Sequence, residues 1–574
     1  MKWSSCTLTQ AIEAAQGKRP VELCIRNCQL VNVLSGRIET VNLGIHGGKV
    51  VGWGDYEAEA VVDAGGMYAA PGFIDGHLHI ESTMLSPAQF AAAALRWGTT
   101  AVVADPHEIA NVLGLDGIRY FLDSAALLPL DMFFNLPSCV PASPLETSGA
   151  VLRAVDLLSI CPHERVVGLA EMMNFPGVTL AIPEVLDKVI LFQGGVIDGH
   201  APQLTGLGLN AYLVGGIGSD HECTALPEAM EKLSKGMHIM IREGSQSKDL
   251  AALLPLVDDQ TWPRCMLVSD DRHADDLLRD GHMNVIVNKA MALGLEPVRA
   301  ITLASWTPAS YFGLRGRGAL APGFQADFTL SPTLEPWVPI RVFKSGKELA
   351  RDGRLIGEPF PEIAPPPSPM RIERIVPEDL AVTPQPGSMK VIRVREGTLL
   401  TDKVLVEPKV QNGRVLIDVE WDVLKLAVFN RYDASTKPAV AFVQGFGLQR
   451  GAIASTVAHD SHNLIAVGTS DEDIVRVAEA VRASGGGMAI GARDDSVVLL
   501  PLPIGGLMSD QPLDQVVAQI EALKQRAMTY GCALHNPFMA LSFLALPVIP
   551  ELKLSDRGLV DVSVFSFVPL FESS

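Results

Sequence analysis

The sequence predicts an α/β protein centred on a (β/α)8 TIM-like barrel, with a small β-rich unit before it and an additional α/β domain at the C-terminal end. Three observations predict it. Between residues 70 and 315, apolar strand-like runs alternate with Ala/Leu-rich helical stretches, as in TTAVVADPHEIANVLGLDGIRYFLDSA and HIMIREGSQSKDLAALLPLV, and repeated strand-then-helix units build a parallel sheet covered by helices. Histidines and carboxylates fall where those runs end, and barrel active sites are assembled at the C-terminal ends of the strands. No GxGxxG follows a first strand, which disfavours the doubly wound open sheet that shares this periodicity.

At 574 residues the chain is too long for one core, so two or three domains are expected. Residues 1–69 open with TLTQAIEAAQGK, a helical run with Thr9 as its expected cap, and then alternate in short β-like bursts with Gly and Asn turns through VELCIRNCQLVNVLSGRIETVNLGIHGGKVVGWG. Cys24 and Cys28, four apart, read as free buried thiols rather than a metal pair. Residues 316–356 are again strand-like. Residues 357–387 are proline-dense and read as a semi-rigid linker. Residues 388–574 alternate strands such as AVAFVQGFGL and NLIAVG with the helical DEDIVRVAEAVRASGG and LDQVVAQIEALKQRAM, a separate α/β domain.

The net charge of -19 disfavours a nucleic-acid backbone or an anionic membrane as partner, because no Lys/Arg-dense face is present to release counterions. A small neutral or cationic substrate suits it better. Eight scattered cysteines, Cys6, Cys24, Cys28, Cys139, Cys161, Cys223, Cys265 and Cys532, include no CxxC pair and point to reduced thiols in the cytoplasm. Residues 1–20 contain no continuous apolar run, and no stretch reaches the ~18 apolar residues of a membrane span, so neither a leader nor a membrane segment is expected.

The chain is organised around PGFIDGHLHIE, residues 71–81. In an extended strand alternate side chains share a face, so His77 and His79 converge on one point, half of a metal site. Further donors follow in order, each closing an apolar run: Glu171 in VVGLAE, His200 in GGVIDGH, His221 in GIGSDH and Asp270 in CMLVSD. Mixed imidazole and carboxylate donors suit Zn, Mn or Fe(II). Taken singly, Glu171 also reads as a capping or buried paired acid and Asp270 as the N-cap of a helix over DRHADDLL. Asp270 is preferred over Asp271 as the inward residue, with Asp271 expected to point elsewhere and cap that helix. Asp105 and His107 in DPHE carry either an accessory metal or substrate contacts. His459, Asp460 and His462 in AHDSHN suit a metal, a lid contact or a hydrogen-bonded turn. His238, His273 and His282 are read as structural.

This succession resembles the amidohydrolase superfamily, and more closely its adenine deaminase family, on PGFIDGHLHIESTM, ADPHEIANVLG, DGHAPQLTG, IREGS, VSDDRH and VAHDSHN. The resemblance covers nearly the whole chain. It implies that residues 1–69 and 316–356 complete one composite β-sandwich domain, with APGFQADF as the re-entry strand. It implies two divalent metals, Mn2+ or Fe2+ favoured and Zn2+ possible by chemistry: one on His77, His79 and Asp270, the other on His200 and His221, with Glu171 bridging. The activity it implies is hydrolysis of adenine to hypoxanthine and ammonia in purine salvage, by an activated hydroxide that attacks C6, with Asp270 as general base. Glu243, Glu108 or Glu171 would then protonate the purine ring, although Glu108 and Glu243 read equally as ion-paired acids, with Arg242 as the partner of one of them. Homo-oligomers are expected. The alternatives are another binuclear amidohydrolase acting on a cyclic amide or N-acetyl sugar, and a catalytically silent binding scaffold. The HxE and PCxxC zinc-deaminase signature is absent.

Overall fold

The structure is a computed structural model that describes residues 5–572, and the side chains from residue 7. Cys6 therefore lies outside the described side chains. The first helix spans Ser5–Ala15, so Thr9 sits within it rather than at its cap: the preceding residues Ser5–Leu8 hold neither Gly nor Pro and the helix runs back through them. Ala11 and Ala14 pack on Val21, Cys24 and Val51.

A nine-stranded sheet joins two distant parts of the chain. Its first strands lie between Val21 and Pro71, and the strand Phe328–Ser331 adds antiparallel to Tyr68–Pro71, with Thr329 opposite Ala70 and Leu330 opposite Ala69. Cys24 and Cys28 are buried free thiols on either side of a bulge.

Between these halves lie eight short strands joined by parallel pairing. They are β1 Phe73–Leu78, β2 Thr99–Ala104, β3 Asp131–Leu136, β4 Val166–Met172, β5 Val196–Gly199, β6 Ser219–Asp220, β7 His238–Arg242 and β8 Cys265–Val268. β1 to β5 form one sheet in sequence order and β6 to β8 another. Backbone hydrogen bonds cross both gaps: Gly218 N donates to Ile197 O (2.9 Å) and Asp270 N to His77 O (3.0 Å). The strands alternate as a pleat demands. Ile239, Ile241, Cys265 and Leu267 pack outward with the helices Met283–Ala292 and Pro297–Leu303, while Met240, Met266 and Val268 join Ile74, Ala101 and Val103 in a second cluster. This is a barrel-type α/β unit, and all its strand C-termini open at one end.

The proline-rich stretch holds no strand, only the 3-10 turn Pro377–Leu380, and is docked. Ile372, Ile375 and Leu380 pack with Ile474, Val477 and Val481 of the helix Asp471–Ala483, and the fully buried Arg431 donates to Pro369 O (2.9 Å) and Ser368 Oγ (3.1 Å). The C-terminal part is sheet-rich: its largest sheet has nine strands between Ser388 and Glu572, antiparallel except where Ser388–Val394 runs parallel to Ala439–Gln444. One continuous apolar core joins it to the barrel, since Leu85, Ile109 and Leu136 cluster with Ile453, Leu507 and Leu541. Ser509 N donates to Met84 O (2.9 Å). The loop of residues 457–463 lies beside the segment that follows β2, His459 and His462 each 3.7 Å from Glu108.

Candidate metal centre

His77 and His79 leave the end of β1 with their rings edge to face, centroids 5.0 Å apart. His79 Nδ1 lies 3.1 Å from Asp105 O. A carbonyl only accepts, so this nitrogen carries the proton and Nε2 is left as the lone-pair donor. That Nε2 sits 3.4 Å from Glu171 Oε1 and 3.5 Å from Asp270 Oδ1. His77 Nε2 is 3.7 Å from the same Asp270 oxygen, buried and without a hydrogen-bond partner among the described residues. Its ring stacks on His221 at 4.0 Å.

Glu171, near the end of β4, stands between two groups of imidazoles. Oε1 faces His79 and, at 3.5 Å, His107 Nδ1; Oε2 meets His200 Nδ1 at 2.6 Å and His221 Nε2 at 3.1 Å. The carboxylate is 4 % exposed. Burial pushes Glu171 up, yet His200 and His221 outweigh it and hold the acid well below its usual range. Burial would lower His221, but its hydrogen bond to Glu171 carries it up to about 9. The six residues singled out at the strand ends thus gather in one buried place.

Asp270 follows β8 in the left-handed region, φ 56°, a conformation Asp tolerates better than most residues. Its Oδ2 accepts from Arg242 at 3.1 Å. Burial raises its acid, but the bond to His79 and the Arg242 guanidinium prevail and hold it far below normal. Asp271 departs from expectation. It accepts from the Ser82 hydroxyl instead of capping the helix Ala274–Arg279, whose N-cap His273 makes no side-chain cap bond. The turned backbone at Asp270 breaks the strand alternation, and both carboxylates stay at the same mouth.

Asp105 and His107 belong to the same group. Asp105 Oδ1 accepts from His107 N at 3.1 Å, and its Oδ2 lies 3.4 Å from His107 Nδ1. His79, Asp105, His107 and Glu171 bring four donor atoms within mutual reach. Glu108 faces the other way: it accepts from Ser82 Oγ (3.2 Å) and lies 3.7 Å from both His459 Nδ1 and His462 Nε2. Ala458 N donates to His462 Nδ1 at 3.2 Å, so a neutral His462 carries its proton on the Nε2 that faces Glu108. Asp460 Oδ1 is 3.8 Å from His459 Nδ1. Burial and His107 push His459 down to about 3.

Glu243 is not brought to the cluster; its carboxylate pairs with Lys289. Arg242 neutralises other acids, Asp270, Asp249 (2.8 Å) and Glu222. Glu222 was missed in the sequence, though with His200 and His221 it forms a further triad of donors. Missed too were the buried acids beside the candidate ligands. Asp75 accepts from Ser269 N (3.1 Å) and lies 3.2 Å from His282 Nε2; Asp198 accepts from Ser219 Oγ (2.8 Å), Tyr311 OH (2.9 Å) and Asn135 Nδ2 (2.6 Å). The signal was legible: Asp-Gly-His occurs at 75–77 and at 198–200, and Asp-His at 220–221.

Four imidazoles and two carboxylates, all buried but the partly exposed His200 and with His77 Nε2 unpartnered among the described residues, suit two divalent cations in both charge and donor type. A model of the amidohydrolase family matches residues 68–349, and a model described as adenine deaminase C-terminal domain matches residues 398–566. The chain is 65% identical over 576 residues to an adenine deaminase of Syntrophobacter fumaroxidans, covering 100% of both chains. It is 47% identical to one of Desulfatibacillum aliphaticivorans, over 98% of this chain and 99% of that one. The corresponding protein of Dehalococcoides mccartyi strain 195 is 46% identical over the same shares.

Proposed function

This chain belongs to the adenine deaminase family of the amidohydrolases, and from that premise we infer that it hydrolyses adenine to hypoxanthine and ammonia, a step of purine salvage. The observation that carries a hydrolytic reading is the position of Glu171, one oxygen toward His79 and the other toward His200 and His221. The matched C-terminal region favours adenine over a cyclic amide or N-acetyl sugar.

In this reading the eight strands act as one closed barrel. His77, His79 and Asp270 would hold one divalent cation and His200 and His221 the other, with Glu171 as the carboxylate shared between them; manganese or ferrous iron is favoured over zinc. Bound there, the cations would supply Lewis acidity and lower the pKa of a water to make it nucleophilic near neutral pH. The protein's own part is positional and protonic. The Asp105 carbonyl fixes the His79 tautomer, and Arg242 fixes the Asp270 carboxylate by its Oδ2. Asp270 Oδ1 accepts the proton of the attacking water and returns it to the departing amine, general acid–base work worth ~10²–10⁴-fold. Glu243, tied to Lys289, takes no part, and the orientation of Glu108 assigns it to the contact with His459 and His462. A cytoplasmic setting and self-association belong to the same proposal, and the seven described cysteines are all free thiols in keeping with the former.

The test is ultraviolet absorbance of manganese-loaded protein with adenine, dihydroorotate or an N-acetyl amino sugar. Adenine alone should turn over. Turnover of either other substrate without adenine would overturn the reading, and a protein inert to all three would leave a binding scaffold.

A further inference from the structure

Where the barrel mouth meets the C-terminal part there is a cavity lined by residues of both. Its floor is Ser82, whose hydroxyl contacts Glu108 and Asp271, the neighbour of Asp270. Its apolar walls come from both sides of the junction: Met84 from the loop after β1, Val457, Met488 and Phe538 from beyond residue 456. Three polar atoms of residues lining it have no hydrogen-bond partner among the described residues: His273 Nε2, Asp275 Oδ1 and Ser542 Oγ. Those residues are 6%, 5% and 1% exposed. Buried polar groups are almost always satisfied, so three orphans around one cavity call for a shared partner. Asp275 is also held in place, its Oδ2 accepting at 2.9 Å from Nζ of Lys524, which lines the same cavity.

A ligand for this space has apolar faces and a polar edge carrying at least one N–H for the Asp275 carboxylate. Ser542 and His273 can each donate or accept. A purine has that form, and the Ser82 floor bonds Asp271, the residue after the proposed base. We propose that this cavity is the purine pocket, with Asp275, His273 and Ser542 as its polar contacts, so that the C-terminal part supplies one wall of the active site. The inference rests on the adenine reading above and adds where the base sits: its C6 edge toward Ser82, its ring N–H toward Asp275. His273, read from sequence as structural, becomes a specificity residue.

The experiment is steady-state adenine deamination by the full-length, manganese-loaded chain, with metal per chain measured alongside, for wild type, Ser542→Ala and His273→Phe. Ser542→Ala removes one hydroxyl and His273→Phe both ring nitrogens, of which Nε2 is the unpartnered one, each with little change in volume. KM should rise roughly 3- to 12-fold, the equivalent of one neutral hydrogen bond, with kcat within about threefold and metal content as in wild type, the pattern of lost uniform binding. KM within about twofold of wild type in both variants overturns the pocket while leaving adenine deamination intact. A wild type that fails to deaminate adenine overturns the functional reading itself. If His273→Phe does not fold, Ser542→Ala decides alone, since it deletes a single hydroxyl.

Discussion

Lys232 tests how the second half of the proposed metal centre is held. The side chain is fully buried on the helix Leu226–Ser234, and its Nζ donates to Ala201 O (2.7 Å), Asp220 Oδ2 (3.0 Å) and Glu228 Oε1 (2.6 Å). Asp220 Oδ1 in turn accepts from Ala201 N at 2.8 Å. One ammonium therefore ties the residue after His200 to the residue before His221. Lys232→Met keeps the stem and deletes the charge, leaving Asp220 buried without its cation. Breaking a buried pair from one side costs about 3–5 kcal/mol. At ~2–4 °C per kcal/mol for a cooperative unit of 150–250 residues, the first thermal transition should fall by roughly 6–20 °C. The pH dependence is constrained as well. Burial lowers Lys232, but Asp220, Cys223 and Glu228 outweigh it and raise it above its usual 10.5, so its stabilisation is complete below that value and lost only as pH climbs past it. Burial raises Asp220, but Lys232 prevails and lowers it, so its share is present above 3.8 and lost only in stronger acid. Calorimetric melts of the metal-loaded variant and wild type at pH 5, 7 and 9 should thus differ by nearly the same amount. A difference under about 2 °C, or one that vanishes at either end of that range, refutes the clamp.

Three further outcomes follow from the site. Asp270→Asn should fold yet lose ~10²–10⁴-fold in kcat, whereas Asp271→Asn, whose amide can still bond Ser82, should lose less than about tenfold; equal losses measured by adenine absorbance would defeat the choice of Asp270. Glu171→Gln should retain fewer than two metals per chain by elemental analysis after reconstitution, and full occupancy would contradict the bridge. Glu243→Gln breaks the pair with Lys289 and should cost less than about tenfold in kcat/KM, while a loss matching that of Asp270→Asn would restore it as the acid on the purine.

What could be read from the chain and what could not follows from how each residue acquires its partner. His77, His79, Glu171, His200, His221 and Asp270 were legible because each ends a local apolar run, and strand ends of a parallel barrel converge whatever the loops do. Their geometry needs only the period-two pleat and the fold class. The fate of Asp271 was not legible, because a single backbone turn at Asp270, φ 56°, overrides the alternation from which its direction was inferred. Glu243 and Glu108 were ambiguous for a different reason. Their roles depend on partners far away in sequence, Lys289 for one and the 459–462 loop for the other, and no local pattern announces such pairs. The same holds for the proline-rich stretch: composition forecast a semi-rigid linker, but its docking depends on where Ile372, Ile375 and Leu380 meet an apolar helix face a hundred residues on. The substrate side is the extreme case. His273 and Asp275 come from the barrel side of the junction and Ser542 from the other, so a pocket they share exists only once the two parts pack on their common core. Local chemistry can announce a metal centre one strand at a time, whereas the surface that selects a substrate is a property of the junction.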